Sequence, residues 1–258
     1  MDELADKGFD GSKKTESKMI YEGWQTLGGS TYYYDPDTHK PVTGSQVIQG
    51  VMYSFSDKGV LQTQLRGIDV SKFQGNIDWK KVKESGIDFA IIRVGYRGYG
   101  SGALVEDSKF RANIQGATAA GLKVGLYFYS QAINEEEAVE EASMALSLCS
   151  GYSLAYPIYY DTEYVAGGRG NSISKAQRTA CAVAFCETIR NAGYTPGVYS
   201  YASWFYNNLN YANISKYNIW IAQYRDVLDF KYNYNIWQYS SKGSVPGIST
   251  AVDMNITR

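Results

Sequence analysis

From Arg66 onward, short apolar runs alternate with helical segments, and after the fifth pair the helices stop while the strands continue. The strand-like runs are residues 67–71 (G-I-D-V-S), 89–94 (F-A-I-I-R-V), 122–129 (L-K-V-G-L-Y-F-Y), 157–163 (P-I-Y-Y-D-T-E) and 197–199. The segments after them carry helix signals. Asp78 can cap 78–84, Gly121 stops 107–120, and Asn134 with Glu137 forms a capping-box pattern at the head of 134–149. Residues 174–191 end at Gly193, and a short helix is expected near 204–209. Residues 218–224, 234–240 and 252–256 then read as strands with little room between them for helices. Parallel strands need helical crossovers, and eight strands close a barrel. The expected fold is therefore α/β, an irregular TIM-like barrel of five β/α units followed by three strands. The stretch from Arg66 to Arg258 is short for a full (β/α)8 barrel of about 250 residues, and the missing late helices account for it. An open doubly wound sheet would call for a glycine-rich phosphate turn after the first strand, and V-S-K-F-Q-G-N is not one.

The segment before the barrel has a different texture. Residues 1–20 are polar and read as linker or disordered. Residues 21–64 contain two related units, one beginning G-W-Q-T-L-G-G-S-T-Y-Y-Y-D at Gly23 and one beginning G-S-Q-V-I-Q-G-V-M-Y-S-F-S-D at Gly44. Each reads as a hairpin with glycine-rich turns. Two such units bury little alone and need a neighbour. The expected division is thus linker 1–20, hairpin repeats 21–64 and barrel 65–258.

Composition narrows the chemistry. The formal net charge is -1, so no long-range attraction to nucleic acid or anionic lipid is expected. No apolar stretch approaches the ~18 residues a membrane span needs. The N-terminus lacks the apolar core of a signal peptide and reads as the edge of a longer chain, so an export signal would lie outside it. The only histidine is His39 and the cysteines are Cys149, Cys181 and Cys186. That set holds neither a zinc motif nor well-spaced disulfide partners, and the thiols are expected to be free and buried. No metal or other cofactor is expected. The 24 tyrosines and 5 tryptophans suit contacts with sugar rings, and equally any wet interface.

Carboxylates fall at the expected strand ends, where barrel enzymes place their chemistry. Asp69 is late in the first strand, Asp161 and Glu163 end the fourth, and Asp253 sits in the eighth. Residues two apart in a strand share a face, so Asp161 and Glu163 point to one mouth while Thr162 turns outward. Like charges this close oppose joint ionisation and raise one pKa. A proton-bearing acid beside a charged partner is what glycosidic cleavage requires. A carboxylate site for calcium or magnesium and a structural pair are the other readings of these residues. Arg93, Tyr96, Tyr129, Tyr199, Trp237 and Tyr239 are candidates for substrate binding. Gln238 alternates with Trp237 and Tyr239, so the three cannot all face inward.

The ordered set R-G-I-D-V-S-K-F-Q-G-N-I-D-W, F-A-I-I-R-V-G, L-K-V-G-L-Y-F-Y-S, Y-D-T-E, W-I-A-Q-Y, W-Q-Y and V-D-M-N resembles the glycoside hydrolase family 25 lysozymes. The resemblance implies a secreted or cell-surface N-acetylmuramidase that cuts the β-1,4 bond between N-acetylmuramic acid and N-acetylglucosamine in peptidoglycan glycan strands. It implies Asp161 and Glu163 as catalytic carboxylates, with Asp69 and Asp253 beside them. Glu163 is the expected general acid and Asp161 the ionised stabiliser. Residues 21–64 resemble cell-wall-binding repeats and imply a wall polymer as a second partner. Ser45 stands in the second copy where Trp24 stands in the first, which leaves a choline cage one aromatic short. An endo-N-acetylglucosaminidase of the D-x-x-D-x-D-x-E type would want acids where this chain has Tyr156 and Tyr159. A non-catalytic glycan-binding barrel would be expected to have lost a carboxylate, and both are present.

Overall fold

The computed structural model describes residues 20–49, 51–62 and 64–258. The linker expected at 1–20 lies outside the described residues except for Ile20. Four strands come first: β1 (Gly23–Leu27) pairs antiparallel with β2 (Ser30–Tyr34), and β3 (Gly44–Ile48) with β4 (Val51–Phe55). The larger part then runs β5 (Arg66–Val70), α1 (Trp79–Glu84), β6 (Phe89–Arg97), β7 (Leu104–Glu106), α2 (Phe110–Ala119), β8 (Lys123–Tyr129), α3 (Glu135–Cys149), β9 (Ile158–Asp161) and α4 (Lys175–Asn191). It ends with β10 (Pro196–Tyr201), α5 (Ala202–Asn208), α6 (Tyr211–Ile214), β11 (Asn218–Ala222), β12 (Ile236–Gly243) and β13 (Val252–Thr257).

The sheet order β5-β13-β12-β11-β10-β9-β8-β6, closed by β5 against β6, makes an eight-stranded barrel, with β7 an extra antiparallel strand on β6. Strands β5 to β12 of the barrel wall run parallel. The last, β13, is antiparallel to both β12 and β5, which departs from an all-parallel wall. The reason is local: only the short 244–251 segment separates β12 from β13, and a parallel return needs a crossover of a dozen or more residues. The consequence is functional. The start of β13, not its end, lies at the same rim as the ends of the other strands, and it brings Asp253 opposite Asp69.

The alternation of β9 decides what reaches the barrel interior. Ile158 and Tyr160 face the helices, where Tyr160 packs on Phe185 of α4. Tyr159 faces inward beside Trp220. Large rings fit at the base because glycines stand beside them. A Cβ on Gly67 would lie 2.2 Å from the Phe89 ring, and one on Gly197 would lie 2.4 Å from the Tyr159 ring.

The hairpins close the base of the barrel. Trp24, Ile48, Tyr53 and Phe55 join one buried cluster with Phe89, Ile91, Tyr156, Tyr159 and Ile236 from the barrel. Tyr53 donates to the Asn235 carbonyl at 3.0 Å, and Asn218 Nδ2 to the Gln49 carbonyl at 2.6 Å. Arg258, where β13 ends, sits 5.2 Å over the Trp24 ring. The cysteines are free and buried. Among the described residues no helix is long and apolar enough to cross a membrane.

Candidate active site

A cavity of about 660 Å³ opens at the rim where β5 to β12 end. Asp69, Asp161, Glu163 and Asp253 line it, together with Arg93, Tyr96, Tyr129 and Tyr199. Of the ten residues singled out from the sequence, Trp237 and Tyr239 are not among its lining. The phase of β12 explains this. Ile236 and Gln238 turn into the barrel, so Trp237 and Tyr239 turn outward, where no helix follows β11 or β12. They line a second cavity of about 700 Å³, and Tyr224 borders both cavities.

Asp161 is the last residue of β9, in register with Tyr129 of β8 and Tyr199 of β10. The strand ends sooner than expected, but the chain stays extended. Thr162 N–H donates to the Tyr199 carbonyl at 3.2 Å, and Ser200 Oγ to the Thr162 carbonyl at 2.6 Å. That brings Glu163 back to the face of Asp161, half-buried at the mouth, while Asp161 is buried.

Four carboxyls meet here with little cationic relief. Arg93 is the buried cation among them, and it is already held by Asp107. Its Nε and one terminal nitrogen both lie 2.7 Å from Asp107 Oδ2. Asp107 Oδ2 also accepts from Lys72 N at 3.1 Å. Burial therefore dominates the cavity carboxyls. Desolvation and then Asp253 push Glu163 up to about 7. Burial, then Glu163 and Asp69, push Asp161 well above the usual carboxylate range. Asp69 is raised by burial and then by Asp253, and Asp253 by burial. Asp253 stands opposite Asp69 in the register of β13 and β5, so the two carboxyls crowd one another at the rim. Both members of the D-T-E pair are thus raised, where the spacing alone led to one acid and one fixed anion. Their surroundings still differ. Asp161 Oδ1 has no hydrogen-bond partner among the described residues, whereas Asp69 Oδ2 accepts two amide N–H groups.

The walls are aromatic. Phe73, Tyr96, Tyr99, Tyr127 and Tyr224 line the cavity with Tyr129 and Tyr199. Phe73 is exposed, with the Arg93 guanidinium 5.1 Å from its centroid. Sequence reasoning missed Phe73, Lys72, Tyr127, Trp220, Tyr224, Gln238 and Asn255. Gln238 and Asn255 were accessible from the period of two, since Gln238 shares a face with Ile236 and Asn255 with Asp253. Their uncharged amides simply did not signal chemistry. Tyr156 and Tyr159 are buried at the base of the barrel, away from this mouth. Among the described residues no group of His, Cys, Asp and Glu side chains is arranged to hold a metal ion.

Residues 68–248 match the family model described as glycosyl hydrolases family 25. The chain is 32% identical over 192 residues to an autolytic lysozyme of Clostridium acetobutylicum, a match that covers 74% of this chain and 55% of that protein. It is 29% identical over 206 residues to lysozyme M1 of Streptomyces globisporus, covering 74% of this chain and 67% of that one. The chain thus spans about half the length of the clostridial relative. Among solved structures, the modular autolysin LytC of Streptococcus pneumoniae, in complex with a synthetic peptidoglycan ligand, superposes with a TM-score of 0.66 at 26% identity. That likeness covers 92% of this chain and 67% of LytC. The bacterial lysozyme of Streptomyces coelicolor superposes with a TM-score of 0.59 at 26% identity, covering 75% of this chain and 92% of that one.

Proposed function

Because the chain belongs to the glycosyl hydrolases family 25, we propose that it is a lysozyme. It hydrolyses the β-1,4 bond between N-acetylmuramic acid and N-acetylglucosamine in bacterial peptidoglycan. The observation that carries this reading is the gathering of Asp69, Asp161, Glu163 and Asp253 in one aromatic-walled cavity.

Glu163 is the general acid. It is half-exposed at the mouth, within reach of a leaving oxygen, and its pKa of about 7 keeps it protonated below neutrality while leaving it able to give the proton up. Asp161 is the charged stabiliser. No protein donor satisfies its Oδ1, so its anion gains most from a partner that only substrate brings: an oxocarbenium-like centre or an acetamide N–H. Asp161 ionises as that partner forms, its proton moving to solvent or to the neighbouring carboxyls. Asp69 and Asp253 hold sugar hydroxyls or tune the protonation of the pair, Asp253 through its charge beside Glu163. Arg93, Tyr96, Tyr129 and Tyr199 line the bound glycan. Trp237 and Tyr239 meet it only where a strand runs on past Tyr224.

In the same reading, 65–258 is the hydrolase unit, an irregular TIM-like barrel of five β/α units and three strands. Residues 21–64 are two cell-wall-binding-like repeats, and 1–20 is a linker. The LytC likeness supports the repeat reading, since it extends over 92% of the chain where the Streptomyces coelicolor likeness covers 75%. Trp24, Tyr53 and Phe55 are committed to the barrel base, so a wall polymer would meet the opposite side, at Tyr21, Tyr32 and Tyr34. The substrate lies outside the cell, and the protein acts as a secreted or surface-associated enzyme.

Glu163→Gln and Asp161→Asn test the assignment on purified peptidoglycan. Each is expected to lower turnover about 10²- to 10⁴-fold while sedimentation with the insoluble wall is retained. Normal turnover in Glu163→Gln removes that residue from the acid role.

A further inference from the structure

Asp69 is gripped by two side-chain amides whose orientations are fixed from behind. Trp220 Nε1 donates to Asn255 Oδ1 at 2.8 Å. An indole N–H can only donate, so the Asn255 oxygen stays there and its Nδ2 donates to Asp69 Oδ2 at 2.8 Å. From the neighbouring strand, Gln238 Nε2 donates to the same oxygen at 2.8 Å. The Gln238 Oε1 accepts from the Tyr199 hydroxyl at 2.9 Å and the Tyr224 hydroxyl at 2.8 Å. A reversed Gln238 amide would set its carbonyl oxygen against an Asp69 oxygen that already accepts from Asn255.

A carboxyl oxygen offers two lone-pair sites, and here two amide N–H groups fill both sites of Asp69 Oδ2. Any proton that Asp69 carries is therefore left with Oδ1. We propose that Gln238 is a positioning residue of the proposed lysozyme site. Clamped by Tyr199 and Tyr224 and working with Asn255, it keeps Asp69 Oδ2 an acceptor and so fixes which Asp69 oxygen can carry a proton and how readily that proton leaves. This rests on the family reading for its catalytic consequence, but not for the clamp itself.

The groups around Asp69 define what the clamp works against. Asp253 faces it from β13, Asp161 and Glu163 from β9 and its exit, and Tyr199 and Tyr224 from β10 and the exit of β11. Arg93 and Tyr127 lie on β6 and β8, and Lys72 follows β5. The carboxyls favour protonation of Asp69, and Arg93 and Lys72 oppose it. Each amide N–H stabilises the anion. Losing one donor therefore makes Asp69 hold its proton to higher pH.

Gln238→Met, of similar length but without a donor, tests this by two readouts. One is the titration of ¹³C-labelled aspartate carboxyls, which needs no activity. The other is kcat and KM against pH on soluble glycan fragments of peptidoglycan. The Asp69 resonance is expected to titrate about 1–2 pH units higher. The acidic limb of kcat should move the same way, with kcat lowered about tenfold or more at pH 6 and KM within about threefold. If Gln238→Met does not fold, the paired Tyr199→Phe/Tyr224→Phe variant keeps both rings and removes only the clamp. It should move the Asp69 titration upward by about half a pH unit or more. An unmoved Asp69 titration in a folded variant overturns the proposal. A wild-type protein inactive on peptidoglycan overturns the reading of function instead, and the titration still decides the clamp.

Discussion

Glu163 carries its proton because of where β9 ends. Tyr159 and Asp161 already point inward, so the next residue but one returns to the same side, just past the last strand residue, half-covered by the rim. Burial there and the Asp253 carboxyl hold Glu163 at about 7. The native state thus binds a proton that the unfolded chain releases near the usual glutamate pKa of about 4.3. Its contribution to stability is full below that value and declines as pH rises through about 7. Glu163→Gln, neutral throughout, should be more stable than wild type at pH 8 by about 1–3 kcal/mol and nearly equal to it at pH 4.5. Thermal melts at the two pH values check this, and an equal gain at both would show that the carboxyl is not strained by its charge. The face shared by Asp161 and Glu163 was legible from a period of two. The outward phase of Trp237 was not, because a W-Q-Y run fits either phase until the inward partner is known. Here Gln238 takes the inward place because Asp69, Tyr199 and Tyr224 offer it hydrogen bonds.

At the scale of elements, strong local signals were readable. Asp78 caps α1 and Asn134 caps α3, each accepting from a backbone N–H three residues on. The box expected at Asn134 closes only halfway. Glu137 accepts from Ile133 N at 3.0 Å, and both its oxygens are held by Arg169 at 2.7 and 2.9 Å. That pair ties α3 to the loop that follows Glu163, a tertiary demand that the capping pattern could not reveal. The short β7 and α6 were missed, being three and four residues long. The direction of β13 was equally hidden, since V-D-M-N-I alternates the same way read up or down the wall. Gly67 shows how tightly the wall is built. Its Cβ would meet the Phe89 ring at 2.2 Å. Gly67→Ala should cost about 1–3 kcal/mol through overpacking, measured by denaturant midpoint at an unchanged slope. A neutral result would mean that the Phe89 ring has room to move.

Over the whole molecule, the aromatic residues sort into separate tasks. Tyr129, Tyr199 and Tyr224 belong to the mouth. Tyr206, Tyr211 and Tyr232 stack around Phe230 outside the barrel, with Tyr211 and Tyr232 parallel at 4.0 Å. Trp24, Tyr53 and Phe55 join the hairpins to the barrel base. Composition alone pointed to sugar contact for some of these rings without saying which. The need of two small hairpins for a neighbour was legible, and that neighbour is the base of the barrel. Tyr53→Phe, which loses the bond to the Asn235 carbonyl, should cost about 1 kcal/mol, and Tyr53→Ala about 3–5 kcal/mol. Hairpins and barrel should still melt in one calorimetric transition, and two separated transitions would contradict the shared core.

The proposed chemistry of this molecule is settled most directly by the ends it makes. Purified peptidoglycan incubated with the protein, reduced and resolved by mass, should yield fragments ending in reduced N-acetylmuramic acid, and Glu163→Gln should yield almost none. Fragments ending in reduced N-acetylglucosamine would contradict the muramidase assignment, and intact wall after incubation with the folded wild-type protein would contradict hydrolysis altogether.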